Sequence, residues 1–175
     1  MPTYSQSEFL ALWRTLRGYA PLCDDAVVNG SDDSDRNLML KAEMDEWYTR
    51  LLLEADASLL EPEDIAGDML LPPPEDECIT LALPPGTLRV LCVSLSGWQA
   101  PATVITDPTC AVAQRQGHPF TRACASAPVA IFTSDGILRL YPASPLDALT
   151  SLVCAIRRDG EYTMHRGALA SVTRI

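Results

Sequence analysis

The stretch Leu83-Pro84-Pro85-Gly86-Thr87-Leu88-Arg89-Val90-Leu91-Cys92-Val93-Ser94-Leu95-Ser96-Gly97-Trp98 constrains the fold more than any other part of this chain. Pro-Pro-Gly is turn chemistry, because proline presets φ and glycine accepts the positive φ that turns require. The apolar, partly β-branched run after it reads as a largely buried strand. The stretch therefore separates two kinds of pattern, helical before it and β after it. The 14 prolines of the 175-residue chain support the division. They cluster between residues 62 and 145, where they favour short strands and turns over long helices.

Ser5-Gln6-Ser7-Glu8 has the spacing of a capping box, and Phe9, Leu12, Trp13 and Leu16 follow at helical intervals. Gly18 and Pro21 end this first helix. A second helix is predicted from about Asp35 to Ala57, with Leu40, Met44, Trp47, Leu51 and Ala55 as its apolar stripe. Its length of about 23 residues gives about 35 Å. Glu46 and Arg50 are spaced as an i,i+4 ion pair, and Trp47 is expected in the core between helix and sheet. Between the helices, the acidic run Asp24 to Asp35 is rich in turn formers. Asp33, Asp35 and Asn37 match the first ligand positions of a calcium loop. Leu38 and Met44 then stand where the turn glycine and the bidentate glutamate belong, which favours a solvated, helix-capping loop.

Residues 58–77 read as a stiff linker rich in proline and acid, with Pro72 to Pro74 favouring polyproline II. Strand patterns follow at 79–83, 89–95, 103–105, 129–133, 137–141 and 149–157, with Ser134-Asp135-Gly136 as a hairpin turn. The expected class is α+β: an N-terminal helical pair with one long helix, then a small antiparallel β module, then a short C-terminal helix within 161–175. The expected division is 1–57 helical, 58–77 linker and 78–175 β-rich, packed as one unit overall. Periodicity places Trp13, Leu40, Met44, Trp47 and Leu51 in the helical core, and Val90, Leu95, Ile131 and Leu140 in the strand core.

Reactive chemistry is sparse. His118 and His165 lie in no metal-binding pattern, the six cysteines form no CxxC pair, and no phosphate-binding or nucleophile-elbow motif is present. The expectation is a protein without catalysis, cofactor or metal. The N-terminus lacks the basic and apolar regions of a secretion signal, which predicts free thiols in a reducing compartment. Cys110 and Cys124 are the pair to inspect for a bridge. No apolar run reaches the ~18 residues of a membrane span. The net charge of −10 argues against a surface that grips nucleic-acid phosphates. Within that acidic chain the segment Gln114-Arg115-Gln116-Gly117-His118-Pro119-Phe120-Thr121-Arg122 is locally positive and long for a loop. This marks Gln114, Arg115, His118, Phe120 and Arg122 as a candidate interface.

Leu83-Pro84-x-x-Thr87-Leu88-Arg89-Val90, running on through Ser94-Leu95-Ser96-Gly97-Trp98-x-x-Pro101, resembles small neck proteins of tailed bacteriophages. The likeness is to those of phages and prophages of gut Bacteroidales bacteria. It continues through Gln114 to Gly117, Ala127 to Ile131 and Ile137 to Tyr141, so it covers residues 83–142. It implies a head–tail connector: a dodecameric ring below the portal, bridging portal and tail proteins, through which DNA leaves the capsid without specific binding. It also implies a place in the virion after synthesis in the bacterial cytoplasm, and no membrane partner. By the same resemblance Leu88, Trp98 and Pro101 shape the β core, and the 114–122 loop lies at an intersubunit or tail-facing contact. Related proteins often end in a clear apolar helix, from which this chain departs. A ring lined with carboxylates would repel DNA, in keeping with the net charge. The competing readings are a small acidic interaction module or regulator without catalysis, and an enzyme built on the cysteines.

Overall fold

The computed structural model describes residues 1–19 and 32–174. The chain divides into two compact units: Met1–Glu61 with Arg157–Ile175, and Pro62–Ile156.

In the first unit, strand β1 (Thr3–Ser5) leads into helix α1 (Gln6–Leu16), which Ser5 caps. The capping box is present in full: the Ser5 hydroxyl accepts from the Glu8 amide, and the Glu8 carboxylate accepts from the Ser5 amide at 2.8 Å. Helix α2 (Asp32–Glu54) starts and ends about three residues before the predicted bounds. Arg50 and Glu46 pair on it at 2.8 Å. The Asp24–Asp35 run lies largely outside the described residues. Asp35 and Asn37 are on α2, where Asn37 Oδ1 accepts a hydrogen bond from Arg14. Strand β9 (Glu161–Thr163) pairs antiparallel with β1, joining the two ends of the chain.

The core of this unit is aromatic. Phe9 is fully buried and meets Tyr4, Trp13, Trp47, Tyr48 and Tyr162 at centroid distances of 4.8–6.5 Å. Trp47 is 7% exposed, and the rings around it are Phe9 and Trp13 of α1. Helix, rather than sheet, therefore supplies its aromatic neighbours. The Tyr48 hydroxyl donates to the Thr163 carbonyl at 3.2 Å and accepts from its amide at 3.0 Å, so α2 also holds β9 in place.

In the second unit, β2 (Glu63–Asp64), β8 (Leu149–Ile156) and β4 (Thr87–Leu95) form a three-stranded sheet in the order β2-β8-β4. A four-stranded sheet has the order β3-β7-β6-β5, from β3 (Ile79–Ala82), β7 (Ile137–Tyr141), β6 (Val129–Phe132) and β5 (Thr103–Ile105). The Ala102 amide bonds the Val93 carbonyl at 2.9 Å, which ties the approach of β5 to β4. Alternate residues Ile79, Leu81, Leu138 and Leu140 meet Val90, Val93, Leu95, Leu152 and Cys154 in one buried cluster. Thr133 bonds Ile137 and Gly136 across a three-residue loop, Ser134-Asp135-Gly136, and Gly136 takes the positive φ of 79° that the loop requires.

The expected small antiparallel β module is thus corrected. The described residues form three sheets, of two, three and four strands, in addition to the two N-terminal helices. Two of the added strands, β1 and β2, are only three and two residues long, and each is fixed by a partner far along the chain. The β5–β6 pair is parallel, so the larger sheet is mixed. The expected C-terminal helix is replaced by β9 and a 3-10 turn over Arg166–Arg174.

Candidate interaction surface

Parallel strands need a connection of a dozen or more residues, because the chain must return to the starting edge. Residues 106–128 make that connection between β5 and β6, and the candidate loop is part of it. It opens with a short helix, α3 (Ala111–Arg115), whose N-cap is Cys110: its Sγ accepts from the Ala113 amide at 3.5 Å. Ala113 packs on the second face of the sheet against Val129 and Ile131, with Cys110, Ala123 and Tyr141 beside them.

The loop is braced from within. Gln116 is 4% exposed, which is rare for an amide side chain unless both ends are bonded. Its Nε2 donates to the Val112 carbonyl at 2.9 Å and its Oε1 accepts from the Ala123 amide at 2.9 Å. Arg122 is the second brace. Its Nε donates to the Gln116 carbonyl at 3.0 Å, and its Nη1 donates to the Asp76 carbonyl and to Glu77 Oε2. The Thr121 hydroxyl donates to the Arg115 carbonyl at 3.1 Å, and Gln114 Nε2 donates to the Thr109 carbonyl at 2.9 Å.

The anchor that Arg122 grips is a strained turn. Glu75 and Cys78 exchange backbone hydrogen bonds of 2.8 and 2.9 Å around Asp76 and Glu77, whose φ values are 50° and 60°. Two positive-φ residues in a two-residue turn suit Asn-Gly, so Asp-Glu here carries a steric cost. The Glu77 carbonyl also accepts from the Ala143 amide at 2.8 Å, so the turn is held from more than one side.

What the braces present is Phe120, fully exposed, with Arg115 and His118 also exposed. Of the five candidate interface residues, Gln114, Arg115, His118 and Phe120 face solvent, while Arg122 is half-buried and holds the loop. Sequence reading passed over Gln116 as one more polar loop residue; only its burial reveals the brace. Trp13, Leu40, Met44, Trp47, Leu51, Val90, Leu95, Ile131 and Leu140 are all buried. Leu88 and Trp98 are half-buried, and Pro101 is exposed. Trp98 packs against the core, and its indole donates to the Pro142 carbonyl at 2.7 Å.

Cys78, Cys92, Cys110, Cys124 and Cys154 carry free thiols, so Cys110 and Cys124 are not bridged. Burial pushes the Cys154 thiol up to about 12, an effect to which Asp64 and Glu63 add. At Cys124, hydrogen bonds led by the Ser126 hydroxyl lower it instead. Among the described residues no group of three or more His, Cys, Asp or Glu side chains is placed to hold a metal ion. No helix among them is long and apolar enough to cross a membrane. No family model and no curated protein matches the chain.

Proposed function

We propose that this protein is a structural subunit of a ring-shaped head–tail connector of a tailed phage or prophage. In this reading it bridges portal and tail and leaves a passage for DNA. The carrying observation is the 114–122 loop: an exposed aromatic and an exposed arginine held on a hydrogen-bonded frame. A loop already braced by its own hydrogen bonds has less backbone freedom to lose on docking, which suits the aromatic it carries to a protein contact. The resemblance over residues 83–142 supplies the connector, and that segment includes the loop. The net charge of −10 suits a wall past which DNA slides without being gripped. The reading assigns the chain no catalysis and places it in the virion neck.

Native mass spectrometry and negative-stain imaging of the full chain test it. The expected result is one large closed oligomer, because a head-to-tail interface that closes yields a single ring size. A chain that stays monomeric at every concentration overturns the ring and leaves the acidic interaction module. Duplex DNA retained by the protein at moderate salt would overturn the passive passage.

A further inference from the structure

We propose that Phe120 and Arg115 of one copy seat in a groove along α2 of a second copy. This rests on the assembly reading above and names the surface that receives the loop. The groove, of about 370 Å³, is walled by Asp45, Glu46, Leu53 and Glu54 of α2 and by Arg157. Asp45, Glu46 and Glu54 set three carboxylates against the guanidinium groups of Arg50 and Arg157, which leaves the groove net negative. Arg157 is engaged by Asp45 at 3.3 Å and by the Thr49 hydroxyl, and Arg50 by Glu46. Glu54 stands exposed at the end of the helix. Leu53, 46% exposed, gives the groove an apolar floor.

The loop offers the complement. Phe120 is fully exposed, Arg115 and His118 stand beside it, and no Asp or Glu occurs between Asp107 and Asp135. Copies that each carry −10 repel one another, and contact is least opposed where a positive loop meets an excess of carboxylate. The acidic 61–77 segment is another carboxylate-rich stretch, but its Glu77 is already paired with Arg122 of the same chain. Loop and groove are different patches carried once by each copy; a reciprocal exchange would stop at a dimer, and the contact proposed is the one-way, head-to-tail kind. Such a contact builds a ring when its rotation closes.

Sedimentation velocity over a concentration series, at low and moderate salt, tests the contact on the full chain and on F120A, R115E, E54R and the R115E/E54R double variant. Phe120 and Arg115 are exposed, so these substitutions leave the fold intact. Each single variant is expected to weaken association tenfold or more. The double charge reversal is expected to recover most of that loss, and added salt to weaken the wild type. Wild-type assembly that F120A and R115E leave unchanged overturns this contact while the assembly reading stands. A wild type that remains monomeric throughout removes both.

Discussion

At the scale of single residues, close approach and hydrogen bonding decide which side chains cannot change. A Cβ on Gly97 would lie 2.4 Å from Asp147 Oδ1. Asp147 is not free to move aside without loss, because its other oxygen accepts from the Ser144 amide at 2.7 Å. Gly97→Ala is therefore expected to cost about 1 kcal/mol in urea unfolding, and less in a D147A background, where the clash is gone. Asp64 fixes the shortest strand. Its carboxylate accepts from the Leu152 and Ala66 amides, each at 3.0 Å, and from the Ser151 hydroxyl at 3.1 Å. These bonds, led by Leu152, hold its carboxyl below the ordinary 3.8. A lowered folded value means the stabilisation is full above the unfolded carboxylate range and disappears as pH falls through the folded value. The stability gap between wild type and Asp64→Ala should thus be constant above about pH 5 and close below about pH 4. A gap independent of pH from 3 to 7 would show that the carboxylate charge is not what holds β2.

At the scale of elements, helices α1 and α2 carry local codes while several strands do not. The Ser5–Glu8 box is read within four residues and forms as written. Ser5→Ala should cost about 1 kcal/mol, seen as a lowered unfolding midpoint with an unchanged m-value. The stripe of α2 is equally local, and Leu40, Met44, Trp47 and Leu51 are buried by it. What the stripe cannot say is which element faces it: Trp47 packs on rings of α1, where sequence reading expects a sheet. Phe9 is the joint of this cluster, touching rings from β1, both helices and β9. Phe9→Ala should cost about 3–5 kcal/mol and Phe9→Leu clearly less, measured by chemical denaturation. Strands β1, β2 and β9 have two or three residues each, too few for alternation to register. The parallel β5–β6 pairing is equally silent, since a single strand carries no mark of its partner's direction.

At the scale of the whole molecule, the first unit is discontinuous and the second lies between its parts in the chain. The tryptophans divide accordingly, Trp13 and Trp47 in the first and Trp98 in the second. Deleting residues 161–175 removes β9, the buried Tyr162 and Met164, and the ring that stacks on Phe9 at 4.8 Å. In a W98F background this deletion should red-shift tryptophan fluorescence, because Trp13 and Trp47 lose their cover. An unshifted spectrum would mean that the helices pack without the returning strand. The sequence by itself determined the capped first helix, the long second helix and the turn at Asp135-Gly136. Each rests on residues three or four apart, or on a turn's own φ requirement, so neighbours in the chain suffice. Only the tertiary structure decided that residues 63–64 and 161–163 are strands, that the larger sheet is mixed, and that Gln116 and Arg122 brace the loop with hydrogen bonds. Those outcomes depend on hydrogen bonds to partners that include Leu152, Thr3 and Asp76, and nothing in the order of residues along the chain records which distant groups will meet.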